Sequence, residues 1–175
     1  TTTTARPNFL PTEGPLTIDF GGRQNIARTW SQAFAFGSST SDYLAMGWRG
    51  GADPVTGKGF FCVSNYANIP VNECTEGVIY HFGCVVIPDG AGGSDVTLYQ
   101  QDAGTGETIA IATRHYDNWT IASLNQVHCV LGRSEFNDPD ASATYFEFRV
   151  WNAGLSEAQL TENAILGTDA LPKLS

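Results

Sequence analysis

Apolar and polar residues alternate with a period of two along most of this chain, the pattern of half-buried β-strands. The alternation starts after Pro15, where Leu16, Ile18 and Phe20 share one face and Gly21-Gly22 reads as a turn. Runs at 24–29, 32–36, 43–48 and 59–64 follow, separated by Gly, Ser, Asp and Pro. The longest apolar run, 78–87, ends at Pro88-Asp89-Gly90, where Pro presets φ and Gly accepts a positive φ. Its β-branched content favours strand over helix. Runs at 96–100, 108–113 and 127–131 continue the spacing. Across 145–151, Phe146, Phe148 and Val150 face one way and Glu147, Arg149 and Trp151 the other. One helix is predicted, opened by a capping box of Ser156 and Gln159. Leu160, Ile165 and Leu166 supply its apolar contacts and Gly167 stops it. The pattern predicts an all-β fold: a two-sheet antiparallel sandwich with one short C-terminal helix.

A length of 175 residues suits one domain, able to bury roughly 70% of its unfolded surface. Residues 1–14 open with four Thr and carry Pro7, Pro11 and Gly14, so they read as an extended arm or linker ahead of a domain at 15–175. Phe9 and Leu10 give that arm enough apolar surface to dock on a neighbour; a plain leader is the alternative. The chain carries neither an initiating Met nor a signal peptide and reads as a mature or excised segment. A net charge of −9 repels nucleic acid and anionic lipid, and no apolar run is long enough for a membrane-spanning helix. The cysteines number four and lack zinc spacing, which predicts two disulfides in an oxidising, secreted or cell-surface setting. Cys62 with Cys74 closes a short loop, and Cys84 with Cys129 links two faces that read as inward. The other pairings stay open.

The closing third carries a resemblance. Leu131-Gly132-Arg133-Ser134, then Asn137-Asp138-Pro139, then 146–156 with Glu147-Phe148-Arg149-Val150-Trp151-Asn152 and Leu155-Ser156, resembles the end of laminin-G-like jelly rolls of the concanavalin A-like superfamily. Leu16-Thr17-Ile18-Asp19-Phe20 is similar to that family's opening strand, and Tyr80-His81-Phe82-Gly83-Cys84 with Val96-Thr97-Leu98-Tyr99 to its central pair. Tyr99 is followed by Gln100-Gln101-Asp102 where the family has Val-Asp-Gly, and Gly21 and Phe146 stand where it has Asp. The resemblance implies a jelly-roll sandwich. It is a signature of fold and leaves function to the site.

Enzymes of that superfamily resemble one another in a strand bearing Glu-x-Asp-x-x-Glu, paired carboxylates that glycoside hydrolysis requires. This chain has none; Glu73/Glu76 and Asp138/Asp140 are the nearest spacings, both in turn-like sequence. No catalytic residue is assigned, and a glycan-cleaving enzyme ranks last among the readings. Calcium wants six to eight oxygens. Asp138 and Asp140 have that chemistry, with Asp19 and Glu147 contributing from strands; a solvated acidic turn is the alternative. Sugar binding would use exposed rings beside polar groups. Trp48 with Arg49, in a glycine-rich stretch, and Tyr66 with Asn65 are the candidates, whereas Trp30 and Trp151 read as packing residues. Asn118-Trp119-Thr120 is an N-glycosylation sequon, and Thr1, Thr2, Thr3 and Thr4 are O-glycosylation candidates. The leading expectation is an extracellular, non-catalytic module for carbohydrate or glycoprotein. The alternative is an assembly subunit of an extracellular matrix or polymer, its N-terminal arm contacting a neighbour.

Overall fold

The computed structural model describes residues 9–64 and 66–166, with the side chain of Leu166 outside that description. The candidate residues Thr1, Thr2, Thr3, Thr4, Asn65 and Gly167 therefore lie outside the described residues.

Ten strands build two antiparallel sheets of five. The strands are β1 (Leu16–Ile26), β2 (Gln32–Ser39), β3 (Asp42–Gly47), β4 (Phe60–Val63), β5 (Ile69–Pro70), β6 (Ile79–Pro88), β7 (Ser94–Asp102), β8 (Thr108–Tyr116), β9 (His128–Leu131) and β10 (Ser142–Trp151), followed by helix α1 (Glu157–Leu166). The first sheet runs β10-β1-β6-β7-β8 and the second β5-β4-β3-β2-β9. This is the sandwich with a C-terminal helix that the period-two pattern predicts. The sheets meet through Leu16, Ile18, Phe20, Phe82, Cys84, Val86, Val96 and Leu98 on one side and Phe34, Phe36, Leu44, Met46, Phe61 and Val63 on the other, all buried. Phe20 stacks on Phe82 at 5.3 Å and Phe34 meets Phe148 edge-on at 5.5 Å, which ties β10 across to β2.

Gly21-Gly22 does not turn the chain. Strand β1 runs through both, with a register shift against β10 between them. A Cβ on Gly22 would lie 2.9 Å from the Thr144 carbonyl and 3.3 Å from the Trp48 ring, so the glycines answer a close approach inside a sheet. The last residues of that strand, 24–26, had read as part of a separate run.

Within the segment that reads as an arm, Leu10 packs on the domain. It is 1% exposed and belongs to the main core. The Gln126 side chain holds its backbone on both sides, accepting from Leu10 N at 2.6 Å and donating to Leu10 O at 3.2 Å. Phe9 remains exposed.

The disulfides are corrected too: all four cysteines carry free thiols. Cys62 lies on the outer face of the second sheet, packed with Ala45 and Phe60, whereas Cys74 belongs to the core between the sheets. Cys84 sits on the inner face of central strand β6, while Cys129 is exposed on edge strand β9. Each proposed partner thus belongs to a different layer or a different sheet. No helix among the described residues is long and apolar enough to cross a membrane.

Candidate functional site

The outer face of the second sheet carries small residues at its centre. Ala35, Ala45 and Gly47 point away from the core, and the Phe60 ring lies so close over Gly47 that a Cβ there would clash with it. Tyr43, Phe60 and Cys62 project from β3 and β4 around this floor, and Val55 packs with them from the 48–59 connection. A larger side chain at 45 or 47 would fill the space that the rings surround.

Two loops raise the walls. The turn before β2 places Trp30 at φ 63°, a left-handed conformation that costs a bulky residue energy. Hydrogen bonds hold it there: Trp30 N donates to Arg49 O at 2.7 Å, and Ser31 Oγ donates to Arg28 O at 2.7 Å. The indole then meets Phe60 edge-on at 5.7 Å. The opposite wall is the 132–141 loop after β9, closed at its base by Ala141 N donating to Gly132 O at 2.8 Å. Its Phe136 stands edge-on to Tyr43 at 5.2 Å, and Ser134 Oγ donates to Asp138 Oδ2 at 3.1 Å. Arg28 Nη1 donates to Asp140 O at 3.0 Å, so the two walls are tied together.

The result is a pocket of about 280 Å³ lined by Trp30, Gln32, Tyr43, Phe60, Cys62, Asn68, Phe136 and Asp138. That is close to the small end of ligand sites. Four rings offer apolar faces, and two amides and one carboxylate offer hydrogen bonds. Gln32 is 3% exposed and its Oε1 has no hydrogen-bond partner. Cys62 donates its thiol to Ala45 O at 3.6 Å; burial pushes its pKa up to about 12, so it stays protonated. Burial first, then the neighbouring Cys62 and the Asp138 charge, hold the Tyr43 phenol well above its usual range.

Of the predicted site residues among the described residues, Asp138 alone lines this pocket. Trp48 is fully buried between the sheets, edge-on to Phe20 and Phe82, and its Nε1 donates to Tyr145 Oη at 3.4 Å. It is a core residue and offers no face to a ligand. Arg49 is engaged by Glu73 at 2.8 Å, and Tyr66 packs on Tyr116 while its hydroxyl donates to the Asp117 carbonyl at 3.1 Å. Trp30, read as a packing residue, is a pocket wall. Its signal was its place in a Thr-Trp-Ser turn directly before an outward-facing polar strand residue, Gln32.

The four calcium candidates divide between opposite sides of the sandwich. Asp138 and Asp140 stay on the 132–141 loop, where Arg133 meets Asp140 at 3.2 Å. Asp19 and Glu147 lie beneath α1 on the outer face of the first sheet, in a buried polar cluster. Asp19 accepts from Trp151 Nε1 at 3.1 Å and Asn163 Nδ2 at 2.7 Å and pairs with Arg149 at 3.4 Å; Arg149 also pairs with Glu147. No group of three metal-ligating side chains forms among the described residues. His81 and His128 are in different sheets. Burial lowers the His81 pKa against the pull of Asp19, and burial raises that of Glu147 against the pull of Arg149.

No protein-family model and no curated protein sequence matches the chain. Solved structures do. One is domain 4 of AbnA, a GH43 extracellular arabinanase from Geobacillus stearothermophilus, in complex with arabinotriose. It aligns at TM-score 0.61 and 15% identity, over 90% of this chain and 70% of that one. Another is a "putative carbohydrate binding protein" from Bacteroides ovatus, with TM-score 0.56 and 18% identity, over 89% of this chain and 42% of that one. At these identities the likeness is one of fold.

Proposed function

We propose that this chain is a non-catalytic carbohydrate-binding domain, laminin-G-like in its closing segment, whose glycan site is the outer-face pocket of the second sheet. The observation that carries the reading is the lining: Trp30, Tyr43, Phe60 and Phe136 surround Gln32, Asn68 and Asp138. Rings that cover the apolar face of a sugar, beside a few groups that fix its hydroxyls, are the usual composition of such a site. The neighbours of similar fold, one described as a carbohydrate-binding protein and one holding arabinotriose, support it. Asp138 is the one carboxylate in the lining, and hydrolysis would need a facing partner. An extracellular setting belongs to the proposal; the exposed Asn118 sequon supports it and the free thiols do not. Calcium is not part of it.

The assembly reading keeps one supporting observation. Leu131 on edge strand β9 and Phe146 and Val150 on edge strand β10 are all exposed, at unpaired sheet edges. Titration of neutral oligosaccharides, followed by tryptophan fluorescence and calorimetry, tests the main reading. Trp30→Ala and Phe136→Ala should each weaken binding at least about tenfold, with thermal melting showing that the domain still folds. Binding that survives both changes but disappears in Arg49→Ala or Tyr66→Ala would reject this pocket.

A further inference from the structure

We infer that this pocket prefers an amino sugar with its nitrogen unacetylated, bound as the ammonium, to neutral or acidic sugars. The inference rests on the carbohydrate reading above and names the chemical class within it.

Charge inside the pocket is one-sided. Asp138 is the one carboxylate among the lining residues, and no Lys, Arg or His joins them. The cations nearby are engaged outside the lining. Arg28 donates to the Asp140 carbonyl, Arg49 pairs with Glu73, and Arg133 pairs with Asp140. A uronate or sulfate would meet Asp138 with no compensating cation, which is repulsive and leaves a desolvated charge unpaired.

The rings extend the same preference. Trp30 is half-buried and Phe136 is exposed, so both present surface to an occupant, while Tyr43 and Phe60 close the pocket beneath them. Aromatic faces are negative at their centres and attract a cation held over them, and a carboxylate beside them adds to that attraction. Tyr43 and Phe136 meet edge to face at 5.2 Å. The Gln32 carbonyl oxygen is an acceptor without a partner. The acceptors in the lining, the Gln32 carbonyl oxygen and the Asp138 carboxylate, call for donors. An ammonium brings three donors and no acceptor, whereas a hydroxyl brings one donor with two acceptors. At about 280 Å³ the pocket admits a group of the size of a monosaccharide ring and little more.

The experiment is calorimetric titration of the full chain with three oligomer series of equal length: β-1,4-linked glucosamine, its N-acetylated counterpart, and neutral β-1,4-glucose. Oligogalacturonate serves as the acidic probe. The glucosamine series should bind roughly tenfold or more tighter than the other two. That margin should shrink as pH rises and the amine loses its proton, and oligogalacturonate should show no binding. Asp138→Asn should remove most of the margin while melting is unchanged, since an amide there still accepts from Ser134. Equal or better binding of the acetylated or neutral series overturns the amino-sugar preference and leaves the carbohydrate site standing. A preference that persists in Asp138→Asn at high pH overturns it as well. Absence of binding by every series overturns both readings together.

Discussion

Two tryptophans show where single-residue reasoning from sequence stops. Trp48 and Trp30 each stand beside turn-forming residues, and the sequence alone favours Trp48 for exposure and Trp30 for packing, the reverse of what the structure shows. The difference is one of parity. Strand β3 ends at Gly47, which pairs with Phe60 and faces outward, so Trp48 falls on the inward side. There it fills the space above Gly22 and gives its N–H to Tyr145. Trp30 is turned outward by its left-handed φ, which no hydrophobic pattern announces. Consequently Trp48→Ala should destabilise the domain by about 3–5 kcal/mol, the range for deleting a large ring from a core. Trp30→Ala should cost far less, because that ring is half-buried at the rim and its backbone strain is independent of the indole. Urea unfolding of the two variants measures this; a larger loss in Trp30→Ala would contradict the assignment of the two rings.

Elements were legible where one face is apolar and the other polar. The closing strand and the 78–87 run appear as strands close to the expected bounds, while the opening strand runs past Gly21-Gly22 to Ile26. The capping box is present: Ser156 N donates to Gln159 Oε1 at 2.9 Å, and Gln159 N donates to Ser156 Oγ at 3.3 Å. Strand β5 was missed because two residues, Ile69 and Pro70, carry no period. Of the helix contacts, Leu160 is buried against Gly83, but Ile165 is 54% exposed. Polar groups hold the rest of the α1 interface: Asn163 donates to Asp19, and Gln101 donates to Thr161 while its Oε1 accepts from His81 Nδ1. This interface is pH-sensitive in a direction that follows from burial. His81 titrates below its usual 6.5 when folded, so the unfolded chain takes up a proton that the folded one resists. Its contribution is present above 6.5 and is lost as pH falls through the folded value. Glu147, raised from 4.5, acts oppositely: its contribution is present below 4.5 and lost as pH rises through the folded value. Between about pH 7 and pH 5, replacing His81 by Gln should flatten the acid-side loss of stability, which cannot exceed about 1.4 kcal/mol per pH unit for one group. Parallel pH profiles of wild type and His81→Gln would show that folding does not lower the pKa of this histidine.

At the scale of the molecule, the even cysteine count pointed to covalent staples, and the architecture makes them unnecessary. A domain of this length can bury roughly 70% of its unfolded surface, and its core is continuous from Leu10 to Leu124 across both sheets. Spacing along the chain gave no access to the layer each cysteine occupies. Cys62 and Cys74 are close in sequence yet fall on different sides of the second sheet, because β4 directs Cys62 outward and the later segment returns Cys74 into the core. Their thiols are shielded, and burial pushes the pKa of both up to about 12, which leaves almost no thiolate to attack a reagent. Burial raises the Cys84 thiol further still, in the middle of β6. Cys129 alone among the four is exposed. A thiol-reactive chromophore should therefore label Cys129 quickly in the native protein and the three buried cysteines only after denaturation, giving four reactive thiols in all. Reductant should leave the melting temperature unchanged, since no loop-closing bond constrains the unfolded chain. Fewer than four thiols in denaturant without reductant, together with a melting temperature that falls when reductant is added, would restore the disulfides and with them the argument for an oxidising compartment.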